Sequence, residues 1–184
     1  MANGNRRILR CTQNGMGAFL RTVYVRWLPA MADGSPTLQG LISRDDSILV
    51  VIDVQEKLMP VITGGKEVVE NIVRLLKFAS ILGLPVVFTE QEKLGPTLRE
   101  VREEILDGEA VTKLSFDSFS CDQFADRIRQ IGRETLILTG VEAHICVAQT
   151  ALHALPCFRV HVVSDAVSFF VICSRFAKLD NKGE

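Results

Sequence analysis

The chain is poor in the residues that most often build metal and redox centres. It has three histidines, His144, His153 and His161, in 184 residues. None lies among residues 90–95 (EQEKLG), where a metal site after the second apolar run would need one, so no metal is expected. The five cysteines (Cys11, Cys121, Cys146, Cys157, Cys173) form an odd set without CxxC spacing. That excludes a small disulfide scaffold and zinc-finger spacing, and fits a reduced, cytoplasmic compartment. No apolar run approaches the roughly 20 residues that cross a bilayer, which argues against a membrane protein. No glycine-rich turn follows the first apolar run, which continues as DVQEKL, so a dinucleotide pyrophosphate has no cradle. Other cofactors are not called for either. A net charge of −1 gives no excess of one sign to attract nucleic acid or acidic lipid. Acids are wholly missing from residues 1–32, which carry Arg6, Arg7, Arg10, Arg21 and Arg26. Such a start allows an organellar transit peptide, but the absence of serine before Ser35 favours a floppy extension or a mis-assigned start. Internal repeats are absent as well.

What the chain does have is a hydrophobic content of 47%, enough for one well-buried α/β domain and too little for two. Residues 1–40 read as a poorly ordered basic extension ending in the breaker-rich ADGSPTLQG. From residue 46 onward apolar runs alternate with helical patterns. Strands are expected at Ser47–Ile52 (SILVVI) and at residues 85–89 (PVVFT), 110–113, 135–139 and 159–163 (RVHVV). A helix over residues 66–82 carries Val68, Val69, Ile72, Leu75, Leu76 and Ala79 on one stripe, with Gly83 and Pro85 to end it. Thr97 and Glu100 spell a capping box for a helix to about Leu106. Ser120 and Gln123 can cap a third, with Phe124, Ile128 and Ile131 inward, and ICVAQTALHAL is a fourth. The alternation predicts a doubly wound, Rossmann-like parallel sheet between two helical layers. Residues 169–184 form an atypical tail, as if a last helix and strand were missing or altered.

Three polar residues fall at equivalent places in this pattern. Asp53 ends the first strand, Lys113 ends the third, and Cys146 opens the helix after the fourth. Parallel strands would gather all three at the carboxyl edge of the sheet, where open α/β sheets bind ligands. A thiol at a strand–turn–helix junction also feels the positive end of the helix dipole, which favours thiolate. Each residue has a plainer reading. Asp53 with Glu56 spells a cap for a short helix over residues 54–59. Lys113 can be a solvated strand end, and Cys146 a small buried apolar residue. Ile145, Ala148, Leu152 and Leu155 make the apolar stripe of the fourth helix, and Cys146 lies off it.

The stretches VVIDVQEKL, LGLPVVFTEQEKLGPT, TKLSFDSF, LTGVEAHICVAQTALHAL and VHVVSDAVS, in that order, resemble the isochorismatase-like cysteine hydrolases. The resemblance is to the metal-free branch grouped with isochorismatase domain-containing proteins and covers residues 46–168. It implies a catalytic Asp53–Lys113–Cys146 triad and a cis peptide between Val141 and Glu142 in the turn before the thiol. Nicotinamidases of this fold carry an Asp/His metal site after the second strand, which this chain lacks. Isochorismatases proper cleave a vinyl ether and can dispense with the cysteine, so a retained thiol implies cleavage of a C–N bond, amide or carbamoyl, in a small molecule.

On that reading Asp53 takes the thiol proton, Lys113 holds the two acidic groups, and Cys146 attacks a carbonyl to give a thioester. Backbone N–H groups at Glu142 and Cys146 would receive the oxyanion. Gln91, Phe116, Phe119 and His144 are candidate substrate contacts, and the resemblance implies a homo-oligomer. Two other readings stay open. One is an inactive scaffold protein or truncated fragment, suggested by the tail. The other is a redox thiol pairing Cys146 with Cys121 or Cys157.

Overall fold

The computed structural model describes residues 41–170, together with the backbone of 22–25. Its centre is a six-stranded sheet. The strands are β1 (Thr22–Val25), β2 (Ser47–Ile52), β3 (Val86–Gln91), β4 (Val111–Lys113), β5 (Thr135–Val141) and β6 (Arg159–Ser168), in the order β1-β6-β5-β2-β3-β4. Five are parallel, and β1 runs antiparallel to β6 at one edge. Every residue of β2 and β5 is buried, as continuous apolar runs in the middle of a doubly covered sheet must be. Alternate residues of β2 enter different cores. Leu49 and Val51 pack with Ile72, Leu76 and Phe88, while Ile48, Val50 and Ile52 pack with Phe124, Ile128 and Leu138.

Helices α1 (Gly65–Leu82) and α2 (Arg99–Arg102) cover the first face, and α3 (Asp122–Ile131) and α4 (Ala148–Ala154) the second. The expected three-layer α/β fold is the observed one. The chain winds outward from β2 through β3 to β4, then returns to β5 and β6 on the other side. The topological switch therefore lies between β2 and β5.

Five local expectations change. Thr97 does not cap a helix: its N–H and Oγ1 both donate to Glu90 Oε1, each at 2.7 Å, and α2 shrinks to Arg99–Arg102. Cys121, not Ser120, stands at the start of α3, because Ser120 Oγ is engaged by Asp117 Oδ2 at 2.7 Å. The last strand runs on to Ser168, pairing with Gly140 and Val141 past a register shift in which β6 carries the extra residues between Val162 and Val167. The fourth helix opens as a π turn, Ala143–Val147. A π turn holds more residues per turn than an α turn, so it resets the helical phase. The buried face becomes Cys146, Val147, Thr150 and Ala154, while Leu152 of the expected stripe is exposed. Within the stretch expected to be unorganised, Thr22–Val25 forms β1. The remaining expectations for residues 1–40 and those for residues 171–184 lie outside the described residues.

Candidate active site

Gly140 brings the site together. It has φ +110°, and a Cβ there would lie 2.1 Å from the Ile52 carbonyl oxygen. Only glycine lets β5 approach β2 this closely. The approach carries the turn after β5 toward the end of β2, and the Val141–Glu142 peptide in that turn is cis. On the β2 side the chain turns at Asp53, which adopts φ +53°, a left-handed conformation that Asp tolerates better than most residues.

The Asp53 carboxylate does not cap a helix. Thr89 Oγ1 donates to its Oδ1 at 2.7 Å, and Lys113 Nζ donates to its Oδ2 at 2.7 Å. Both charged side chains are completely shielded from solvent. The ammonium reaches from the edge strand β4 across β3 to the end of β2, two inter-strand spacings of about 4.8 Å. Such a buried pair survives only if its remaining hydrogen-bonding capacity is met. Lys113 Nζ also has Gln91 Oε1 at 2.9 Å, the Ser115 carbonyl at 3.1 Å and the Phe116 carbonyl at 3.4 Å. An ammonium carries three protons, so these acceptors with Asp53 saturate it. Lys113 is therefore not a solvated strand end.

Cys146 completes the group. It is 5% exposed, and its buried thiol feels the Asp53 carboxylate, the Lys113 ammonium and the Glu142 backbone N–H. Burial, then the negative charge of Asp53, push the thiol up to about 12. Lys113 and the Glu142 N–H pull it down by less. The expected bias toward thiolate is thus outweighed, and the resting group is a neutral thiol beside a carboxylate.

Of the other expected contacts, Gln91 belongs to the Lys113 shell, and its Nε2 donates to the Leu114 carbonyl at 2.7 Å. Phe116 contributes its carbonyl, while its ring is 54% exposed. His144 is exposed and meets Phe169 edge-on at 5.9 Å. The Phe119 ring packs among Phe124, Phe158 and His153, with 5.0 Å between its centroid and that of Phe124. Cys121, Cys146 and Cys157 are free thiols. Among the described residues no group of three or more His, Cys, Asp or Glu is placed to hold a metal, and no helix is long and apolar enough to cross a membrane.

Two supporting residues escaped the sequence. Thr89 had a readable signal, a polar residue ending a buried strand, and it pairs in register with Ile52 just before Asp53. Gln55 had none. Fully buried, it accepts from the Gln91 N–H at 2.8 Å and donates to the Gln91 carbonyl at 3.0 Å. Its side chain thereby extends the sheet ladder and fixes the residue that holds Lys113.

An acid, a cation and a thiol thus stand at the carboxyl end of a parallel α/β sheet, beside its switch point, on a three-layer isochorismatase-like fold. A family model for the isochorismatase domain matches residues 47–178, and the chain belongs to that family. It is 39% identical over 133 residues to isochorismatase domain-containing protein 2 of Danio rerio, covering 70% of this chain and 66% of that protein. Among solved structures it resembles the MAR1 ribonuclease of Caenorhabditis elegans, with 34% identity, TM-score 0.64, and coverage of 70% and 67%. It also resembles YcaC from Pseudomonas aeruginosa, solved with hexane-2,5-diol and covalent acrylamide, with 26% identity, TM-score 0.68, and coverage of 74% and 70%. The chain spans 52% to 67% of the length of curated relatives it matches.

Proposed function

We propose that the chain is a cysteine hydrolase that cleaves the C–N bond of a small amide or carbamoyl compound through a thioester on Cys146. The observation that carries this reading is the fully buried Asp53–Lys113 pair, with 2.7 Å between Oδ2 and Nζ, whose charges act on the buried Cys146 thiol. With the thiol pushed up to about 12, little thiolate stands ready at neutral pH. Proton transfer to Asp53 therefore accompanies attack of sulfur on the carbonyl carbon. The C–S bond forms as the carbonyl π pair moves to oxygen. Backbone N–H groups of the 142–146 turn receive that oxyanion, each donor being worth about 3–4 kcal/mol. Asp53 then gives its proton to the nitrogen as the C–N bond breaks, and the amine or ammonia leaves. Water, deprotonated by Asp53, adds to the thioester and expels the thiol, giving an acid or carbamate.

Two observations favour this chemistry over phosphodiester cleavage, the activity named for the Caenorhabditis relative. The Lys113 ammonium has no proton left for a phosphate oxygen. Cys146 at 5% exposure also suits a small molecule better than a polymer. The acrylamide bound covalently in the Pseudomonas relative fits a reactive nucleophile on this fold. Amine or ammonia release from a panel of small amides and carbamoyl compounds tests the reading. Cys146→Ala should be inactive and Cys146→Ser nearly so, because a hydroxyl needs a stronger base than Asp53. Full turnover by Cys146→Ala would end it.

A further inference from the structure

The loop between β4 and α3 is held from two sides. Its backbone faces Lys113, to which the Ser115 and Phe116 carbonyls offer acceptors at 3.1 and 3.4 Å. Its side chains face α4, the continuation of the turn that carries Cys146. Thr150 Oγ1 accepts from the Ser118 N–H at 3.0 Å and donates to Ser118 Oγ at 3.0 Å, both bonds buried. One turn further along α4, His153 Nδ1 lies 2.6 Å from Asp117 Oδ2. Asp117 also sets the loop's shape. Its Oδ1 accepts from the Phe119 N–H at 3.0 Å, its Oδ2 from Ser120 Oγ at 2.7 Å, and its carbonyl from Ser115 Oγ at 2.7 Å. Burial pushes the Asp117 carboxyl up, but Ser120, His153 and the Phe119 N–H together hold it below the usual carboxylate range. Hydrogen bonds that favour the ionised form in this way are the strong, charge-assisted kind.

We propose that Asp117 and His153 are positioning residues of the hydrolytic site, a latch joining the Cys146 helix to the loop whose carbonyls hold Lys113. The inference rests on the hydrolytic reading and extends it to residues that act through the loop. With the latch intact, the thiol and the ammonium are fixed relative to one another through α4, Asp117 and the 115–116 carbonyls. With it broken, the carbonyls drift and the ammonium loses acceptors. It then spends less time beside Asp53 and the sulfur, and its attraction for a thiolate weakens.

Labelling of Cys146 by acrylamide separates this from a merely structural role, because the two predict opposite signs. A loosened fold exposes a thiol that is 5% accessible and labels faster. A displaced cation raises the thiol and labels more slowly. Removing the negative charge of Asp117 would by itself favour thiolate, so slower labelling cannot come from that charge alone. The experiment measures Cys146 labelling by peptide mass spectrometry at one mildly alkaline pH, against a free cysteine peptide in the same tube. Asp117→Ala and His153→Ala should slow Cys146 roughly threefold or more, the effect of about half a pKa unit, in the same direction as Lys113→Met. His153→Asn, whose amide nitrogen stands where Nδ1 does, should restore the native rate. The His153 side chain is 55% exposed, so its variants leave the core intact. Native or faster labelling in both alanine variants, with Lys113→Met slow, overturns the latch alone. Native labelling in Lys113→Met overturns the cation's role in the hydrolytic reading, and the latch with it.

Discussion

At the scale of single residues, the site is organised around one carboxylate with two engaged oxygens. Asp53 shares Oδ1 with Thr89 and Oδ2 with Lys113, and its negative charge acts on the Cys146 thiol. Thr89→Val keeps the shape and removes a bond to a buried charge. It should cost about 1.5–3 kcal/mol in chemical denaturation and lower turnover without abolishing it. Cys146 leaves its own mark on stability. Its thiol is raised from an ordinary 9.0 to about 12, so the folded state holds the proton longer than the unfolded state does. That contribution is complete below the ordinary thiol value and is lost as pH rises between the two. The stability advantage of the native protein over Cys146→Ser should therefore fall across this alkaline window, with a limiting slope of about 1.4 kcal/mol per pH unit. A difference that stays flat in alkaline urea titrations would show that the thiol is not so perturbed. The meeting of Asp53, Lys113 and Cys146 was legible because the first two end strands and the third follows one by a short turn, where chain direction alone brings side chains together. Gln55 was not legible, because its partners Gln91 and Gly95 are distant in sequence and meet it only in the folded loops.

At the scale of elements, what the sequence revealed depended on whether an element owed its form to its own pattern. β2, β5 and α1 were readable, since continuous burial and an unbroken 3.6-residue stripe leave little choice. α2 was overestimated because its capping threonine is taken by Glu90, a competitor seven residues upstream. The phase of α4 was misread because a π turn cannot be inferred from a stripe that assumes regular winding. The segment that mattered most, the turn from β5 into that π turn, depends on the absence of a side chain at Gly140. Gly140→Ala combines a forbidden contact with a left-handed φ, and should destabilise by about 3 kcal/mol or more in urea melts. It should also abolish hydrolysis in whatever fraction remains folded, because the turn carrying the Glu142 N–H moves away from Asp53.

Across the whole molecule, the alternating pattern was enough to give the layers and the parallel sheet. The pairing of β1 with β6 was not legible, since a four-residue strand carries almost no periodic signal. The edge opposite the site is pinned by Asp46, just ahead of β2. Its Oδ1 accepts from the Glu134 N–H at 3.0 Å and its Oδ2 from Thr135 Oγ1 at 2.9 Å, while the Arg159 guanidinium pairs with Oδ2. One carboxylate thus joins β2, β5 and β6 at their starts. Burial pushes it up, but the Glu134 N–H, Thr135 and Arg159 together lower it from 3.8. Its contribution is therefore full above that value and is lost as pH falls through the lower folded one. Asp46→Ala should cost about 1 kcal/mol near neutral pH, and the difference from the native protein should vanish in acid. Thermal melts across the acid range check this. Activity should be unaffected at temperatures where both proteins are folded, because Asp46 lies at the far end of the sheet from Cys146.

The most direct test of the account is to trap the thioester. Native protein that turns over a small amide or carbamoyl compound is quenched in acid, and its peptides are weighed. The account predicts a mass increment equal to the acyl group on the peptide containing Cys146, discharged by hydroxylamine and missing in Asp53→Asn. Turnover that proceeds with no such adduct, and that survives Cys146→Ala, would contradict it.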